Sequence, residues 1–311
     1  MGLDETGSAR GAHPPGVLAP LTTPFDAAGD IDERAFVAEI EWLLAQQVDG
    51  VVVGGSTGEG YTLSLDELAR LVDLATATVD GRRPVVASII ADSTRAVVAG
   101  AERLSRFPLA ALQVTPPHYI FPPDDDGFVA FYRAAAAASA APVVVYNVLP
   151  WMQLAPALLA RIIAEAPGVV AVKHSAKDVG AYREVIAAIG APRVYAAIDD
   201  RLGDCYAIGA VGSIAAINAA APAANVRLWR ACRTGDAAET ARIGRFLADL
   251  WAVLTGNQLP ARVKAAQTLA GAPASRVRAP MVDADGEVRR AIETVFARAP
   301  DLLAVTSVGA R

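Results

Sequence analysis

Short apolar runs rich in β-branched residues recur along the first two thirds of the chain, and stretches with helical spacing separate most of them. Strands that alternate with helices pair in parallel, because each helix returns the chain to the edge where the previous strand began. Eight strands within about 200 residues predict an α/β fold, a (β/α)8 TIM barrel, with an open doubly wound sheet as the alternative. The predicted strands are Val17–Leu21, Gly50–Val53, Pro84–Ile90, Leu109–Val114, Pro142–Tyr146, Val169–Lys173, Arg193–Ile198 and Ala210–Ala215.

Apolar residues at helical spacing predict the helices between these strands and a purely helical region after them. The predicted helices are Asp32–Gln47, Ser64–Val79, Thr94–Phe107, Gly127–Ala140, Pro156–Glu165, Val179–Ile189 and Leu202–Ile208, and then Pro222–Leu254, Pro260–Ala270 and Gly286–Ala299. We therefore expect a barrel over residues 16–221 and a C-terminal helical region, residues 222–311, packed on it. Residues 1–15 are polar and rich in glycine and proline, which predicts a disordered tail.

Composition narrows the classes of function. The chain is 53% hydrophobic, enough for a large core, and its net charge of −5 leaves no basic surplus to bind nucleic acid. No apolar run is long enough to span a membrane, and residues 1–15 lack the features of a secretory signal. The two cysteines, Cys205 and Cys232, have no metal-site spacing and do not suggest a disulfide framework, which favours a cytoplasmic location.

Lysine is scarce, and one lysine lies inside an apolar run. The chain has three lysines, Lys173, Lys177 and Lys264, and Lys173 ends the predicted strand that begins at Val169. Burying an ammonium is costly, so a lysine in this position tends to lose its proton and become a nucleophile. A neutral amine attacks carbonyl groups to form a Schiff base. The alternative is a lysine that extends from the strand end to water.

Residues that can act as nucleophiles, acids, bases or hydrogen-bonding groups follow the carboxyl ends of the predicted strands, where the active sites of (β/α)8 barrels lie. They include the Gly54–Glu59 loop, His118, Tyr146, Lys173 and Asp199. The strands that carry Tyr146 and Lys173 should be neighbours, about 4.8 Å apart, so the phenol could move protons beside an imine on the lysine. The alternative for Tyr146 is an aromatic cap on the barrel core with its hydroxyl satisfied.

The glycine-rich loop Gly54–Gly60 fits two kinds of site and an ordinary turn. It lacks the Gly-Lys-Ser/Thr ending of a phosphate-binding loop. Gly54-Gly55-Ser56-Thr57-Gly58 matches the Gly-x-Ser-x-Gly elbow of serine hydrolases, which would need a histidine partner for Ser56. Alternatively, its N–H groups and hydroxyls bind a substrate carboxylate, as a lysine that condenses with a 2-keto acid would require.

Several ordered motifs resemble the dihydrodipicolinate synthase / N-acetylneuraminate lyase family of class I aldolases over about residues 17–281. The matching segments are Thr23–Asp26, Gly55–Glu59, Thr115–Pro117, Tyr146–Val148, Val172-Lys173, Gly209–Ile214, Val263-Lys264 and Ala279–Met281. The resemblance implies a barrel with a C-terminal helical region, a homotetramer built as a dimer of dimers, and no metal or organic cofactor.

The resemblance also implies roles for individual residues. Lys173 would be the Schiff-base lysine and Tyr146 the proton relay. Ser56 and Thr57, with Gly55 beside them, would bind the keto-acid carboxylate, and Thr57 would join the relay. Ile214 would line the pocket.

Two departures from the family pattern change the expected chemistry. Many members have a tyrosine at the position of His118, and that tyrosine extends the relay into the neighbouring subunit, so we expect His118 or the adjacent Tyr119 to replace it. True synthases also carry an arginine soon after Tyr-Asn-Val, whereas this chain has Trp151 and Met152 there. These residues cannot pair with a carboxylate, so we predict a catabolic lyase and not the lysine-pathway synthase, with Trp151 and Asp199 shaping its pocket.

The sequence therefore predicts a Schiff-base-forming lyase that acts on pyruvate or a longer 2-keto acid by aldol cleavage, dehydration or deamination. A non-catalytic keto-acid-binding protein and a serine hydrolase that uses Ser56 are the alternatives.

Overall fold

The computed structural model describes residues 13–304 of the 311-residue chain. Eight parallel strands pair in chain order, and β8 pairs with β1, so the sheet closes into a barrel. The strands are β1 (Gly16–Pro20), β2 (Gly50–Val53), β3 (Val85–Ile89), β4 (Ala111–Val114), β5 (Val143–Asn147), β6 (Val169–His174), β7 (Val194–Ala196) and β8 (Gly212–Ile214). The predicted barrel is confirmed, and the open sheet is wrong.

Helices return the chain between strands and continue after β8. They are α1 (Glu33–Ala45), α2 (Leu65–Val79), α3 (Thr94–Leu104), α4 (Asp125–Ala138), α5 (Pro156–Glu165), α6 (Val179–Ile189), α7 (Leu202–Ala207), α8 (Ala216–Ala220), α9 (Pro222–Thr234), α10 (Ala237–Leu254), α11 (Leu259–Leu269) and α12 (Gly286–Ala297). The predicted single stretch 222–254 is two helices, because Gly235 ends α9 at φ +74° and Asp236 caps α10. None of the helices within residues 13–304 has the length and apolar character to cross a membrane.

Contacts at the two ends of the predicted barrel domain, residues 16–221, join it to the neighbouring segments. Helix α9, the first helix after the predicted boundary at residue 221, packs against α10 as well as against β1 and α7, and the predicted start of the C-terminal region at residue 222 stays a prediction. Residues 1–12 of the predicted disordered tail lie outside the described residues. The last residues of that segment contact the barrel: the Tyr195 hydroxyl donates to the Pro14 carbonyl (2.6 Å) and accepts a hydrogen bond from His13 Nδ1 (2.9 Å). These contacts close the amino-terminal end of the barrel.

Inward-facing side chains fill the barrel interior. Its apolar cluster has one member from each strand and consists of Leu18, Val52, Val86, Ala111, Val144, Ala171, Tyr195 and Ile214. Because side chains two residues apart on a strand share a face, the next inward positions on β3 to β6 form an upper layer. These positions are Ser88, Gln113, Tyr146 and Lys173, all buried. The barrel therefore changes from apolar to polar towards the carboxyl ends of its strands.

An irregularity in β6 decides which way its lysine faces. Val143 pairs with Val169 but Val144 pairs with Ala171, so Val170 is an extra residue in the ladder. An extra residue shifts the alternation of faces by one position. Ala171 and Lys173 consequently align with Val144 and Tyr146 on the inner face.

Candidate active site

Lys173 and Tyr146 meet at the carboxyl end of the barrel. They are register partners on β6 and β5, which confirms the predicted neighbouring strands. Lys173 is only 5% exposed, and its Nζ lies 4.0 Å from the centroid of the Tyr146 ring. The lysine therefore does not extend to bulk water, so the alternative of a strand-end lysine that reaches solvent is wrong.

The Tyr146 hydroxyl is joined to the glycine-rich loop after β2. It donates a hydrogen bond to Ser56 Oγ and accepts one from the Ser56 backbone N–H, both at 3.1 Å. Burial raises the pKa of Tyr146, but the nearby Lys173 charge and the Ser56 hydrogen bonds together bring this pKa below its ordinary value. A phenol with a lowered pKa beside an amine is suited to exchange protons with a group bound there.

Glycines allow the loop to fold tightly over the end of the barrel. Gly54 has φ +73°, and a Cβ there would lie 2.4 Å from Leu68 Cδ1. A Cβ on Gly60 would lie 1.8 Å from the Gly54 carbonyl oxygen. Between them, Ser56–Gly58 forms a short 3-10 helix, and Ser56 and Thr57 line the same cavity as the lysine.

A cavity of about 430 Å³ opens above Lys173 and contains most of the predicted site. Its lining includes seven of the predicted residues: Ser56, Thr57, Tyr146, Trp151, Lys173, Asp199 and Ile214. Residues that the sequence-based prediction missed complete the wall, and they include Tyr61, Leu149, Trp251, Asn257 and Leu259. The α10–α11 region supplies three of these, and no strand-end pattern points to it.

Two predicted residues do not line the cavity. Gly55 is absent from the lining, and a Cβ there would lie 3.5 Å from the Tyr146 hydroxyl, so its part in carboxylate binding stays a prediction. His118 donates from Nδ1 to the Pro116 carbonyl at 3.1 Å and lies 3.2 Å from Asp92 Oδ1. Within this chain the structure therefore does not bring His118 to Lys173, and Tyr119 is 72% exposed.

The serine-hydrolase alternative finds no histidine at Ser56. His13 contacts Tyr195, His118 contacts Asp92 and Pro116, and His174 lies against Asn147. Burial lowers the pKa of His174 to about 4, so it is a neutral core residue. The Ser56 hydroxyl is bonded to a tyrosine instead, and this arrangement lacks the base that a serine nucleophile needs.

A buried ion pair holds the residue that follows the loop. Lys264 on α11 donates from Nζ to Glu59 Oε1 and to the carbonyls of Thr23 and Arg276, each at 2.6 Å. Glu59 is fully buried and Lys264 is 2% exposed. Glu59 has φ +56°, a conformation that costs energy for a residue with a side chain, so its contacts must hold it in place. The signals in the sequence were the scarcity of lysine and the match of Gly55–Glu59 and Val263-Lys264 to the family segments, and neither indicated that the two residues pair.

Asp199 lies in the cavity wall and also caps a helix. Its Oδ1 accepts the Ile217 N–H of α8 at 2.8 Å, so Asp199 also has a structural role. Burial raises the pKa of Asp199 to about 6, although hydrogen bonds from Ile217 and the Lys173 charge oppose the shift. The carboxyl can therefore titrate within the range in which enzymes are assayed.

We expect Asp199→Asn to stabilise the protein in a pH-dependent way. The pKa of this carboxyl is higher in the folded chain than in the unfolded chain, so its ionisation destabilises the folded protein. The loss of stability develops as pH rises from about 4 through about 6. Asparagine keeps an acceptor for Ile217 but has no charge. Its advantage in free energy of unfolding should be near zero at about pH 4 and about 1–3 kcal/mol at about pH 8. Urea denaturation at both pH values measures it, and an equal difference at both would contradict the raised pKa.

Comparisons with known proteins agree with this architecture. The model of the dihydrodipicolinate synthetase family matches residues 13–299. A 4-hydroxy-tetrahydrodipicolinate synthase from Rhodospirillum centenum is 33% identical over 275 residues, which cover 86% of this chain and 92% of that protein.

Solved structures show the same similarity. YagE, a prophage protein of the dihydrodipicolinic acid synthase family from E. coli K12, in complex with pyruvate, has a TM-score of 0.86 at 25% identity, covering 92% of this chain and 98% of its own. Dihydrodipicolinate synthase from Thermotoga maritima has a TM-score of 0.86 at 25% identity, covering 93% and 99%.

Proposed function

This chain belongs to the dihydrodipicolinate synthetase family of lyases, and we propose that it forms a Schiff base between Lys173 and a 2-keto acid. The observation that carries the proposal is the position of the Lys173 amine, buried at the base of a cavity and 4.0 Å from the Tyr146 ring. The similar structure of YagE contains pyruvate, which supports a keto acid of this kind as the ligand.

In the proposed reaction, Lys173 Nζ attacks the C2 carbonyl and water leaves, giving an imine. The protonated imine accepts the electron pair of the C3–C4 bond, so that bond breaks and an enamine forms. Tyr146 takes the proton from the C4 hydroxyl and returns one to C3, and hydrolysis then releases the keto acid. Ser56 and Thr57 would bind the carboxylate, while Ile214 and Asp199 would contact the carbon chain.

The lysine-pathway synthase reaction is the second candidate, because curated relatives carry that name. The cavity favours a different lyase. Lys173 is the only cationic residue among those that line it, and Trp151 stands in the loop where a synthase is expected to hold its second carboxylate. We therefore propose a catabolic lyase. The homotetramer stays a prediction of the family resemblance.

Borohydride trapping tests the Schiff base. We expect pyruvate with borohydride to attach a three-carbon adduct to Lys173, because reduction makes the imine permanent. Peptide mass spectrometry locates the adduct among the three lysines of the chain.

Lys177→Ala is the matched control for trapping. Lys177 is exposed and lies four positions from Lys173, so its loss should leave the adduct unchanged. An adduct on Lys177 in the unaltered protein, or none on Lys173 in a folded protein, would refute the proposal. Binding of pyruvate without an imine would favour the non-catalytic alternative.

A further inference from the structure

We infer that the fragment beyond the cleaved bond is uncharged and apolar, best an aryl group, so that the aldehyde partner of pyruvate is an aromatic aldehyde. This inference rests on the proposed Schiff-base function and adds the class of the second substrate. The inference is drawn from the cavity above Lys173. The wall of this cavity is largely aromatic, whereas its base is polar.

The outer part of the cavity is aromatic. Trp151 and Tyr61 are 67% and 54% exposed, in contrast to the buried Lys173, so they stand at the mouth. Trp251 of α10 and Leu149 complete this apolar surface. Aromatic side chains bind a flat apolar group through area and through ring stacking. The cavity volume of about 430 Å³ is enough for a keto acid with a phenyl ring.

The loop that carries Trp151 is held in place from both ends. The Asn147 side chain accepts the Leu154 N–H at 2.8 Å and donates to the Leu154 carbonyl at 3.1 Å. Leu149 and Met152 form a bridge within the loop, and the Gln153 side chain donates to the Ser175 carbonyl. These contacts anchor the backbone that presents Trp151 before substrate binds, which favours a binding role for the tryptophan.

The charges in the cavity oppose a second anionic group. At the base, Lys173 forms the imine and the Ser56 and Thr57 hydroxyls bind the keto-acid carboxylate. A second carboxylate or a phosphate near the mouth would find no cation among the lining residues, and ionised Asp199 in the wall would repel it. Placing a charge there without a partner is unfavourable.

The reaction balances without a further reactant. In the cleavage direction, the C3–C4 bond of a 4-aryl-4-hydroxy-2-oxo acid breaks, its electron pair becomes the enamine, and the hydroxyl proton passes to Tyr146. The products are an aryl aldehyde and, after C3 is protonated and the imine is hydrolysed, pyruvate.

The test compares two aldols of pyruvate. One is 4-hydroxy-2-oxo-4-phenylbutanoate, from benzaldehyde, and the other is 4-hydroxy-2-oxoheptanedioate, from succinic semialdehyde. Chromatography of the released aldehyde gives kcat/KM for each. We expect the phenyl compound to be preferred by at least about tenfold, and Trp151→Arg to reduce or reverse that ratio by a similar factor.

Val282→Arg, which adds the same charge at an exposed position outside the cavity, should leave the ratio unchanged. Preference for the dianionic compound, or a ratio that Trp151→Arg does not move, would overturn the inference. Borohydride trapping of pyruvate on Lys173 separates the two failures: an adduct with no aryl preference rejects only this inference, whereas no adduct rejects the proposed function itself.

Discussion

Lys173→Met is expected to lower kcat/KM for aldol cleavage by at least about 10⁴-fold, because no other group at the base of the cavity can form the imine. Methionine keeps most of the length of the side chain and is apolar, so the buried position should remain filled and the protein folded. Steady-state kinetics with released aldehyde as the signal measures the loss, and circular dichroism confirms the fold.

Lys177→Met provides the matched control for Lys173→Met. It makes the same change on the exposed side of the β6–α6 loop and should retain activity. Should Lys173→Met keep more than about a hundredth of the original kcat/KM, the lysine would not be the covalent catalyst, and an acid–base role would have to be considered.

The second large effect concerns the buried pair between α11 and the loop after β2. Lys264→Met should lower the free energy of unfolding by about 3–5 kcal/mol, because it leaves the Glu59 carboxylate buried without its cation. The carbonyls of Thr23 and Arg276 also lose their donor. Urea denaturation near neutral pH measures the loss, and exposed Lys177→Met should change stability by no more than about 0.5 kcal/mol.

A double-mutant cycle assigns that loss to the ion pair. In a Glu59→Gln background, Lys264→Met should cost clearly less, since no carboxylate charge remains uncompensated, while the glutamine can still accept the Arg278 N–H. Equal costs in both backgrounds would show that the lysine acts through packing alone. Because Glu59 directly follows Ser56–Gly58, we also expect Lys264→Met to raise KM for the keto acid.

The barrel could be predicted from sequence because its signals are local. Each strand is a short apolar run, and each crossover helix has its own amphipathic spacing, as in α2, which begins with a capping box of Ser64 and Glu67. Rules for (β/α)8 barrels then place strand ends together, which was enough to unite Lys173, Tyr146 and Ser56.

Other features depend on contacts that are distant in sequence. Counting alternate faces from Val169 would turn Lys173 outward, and only the extra residue at Val170 turns it inward. The Glu59–Lys264 pair joins residues 205 positions apart. His118 was assigned by analogy with a tyrosine, and its contacts with Asp92 and Pro116 come from loop geometry that no periodic pattern encodes.

The closed lower end of the barrel has a kinetic consequence. Tyr195 bonds to Pro14 and His13 at one end, and apolar interior side chains lie between them and the lysine, so within residues 13–304 we expect molecules to reach the amine through the cavity at the other end. Whatever occupies the deepest position must then arrive before its co-substrate and depart after it. Under the proposed chemistry, aldehyde leaves first on cleavage, and in the reverse direction excess aldehyde should inhibit by blocking the channel before pyruvate has docked.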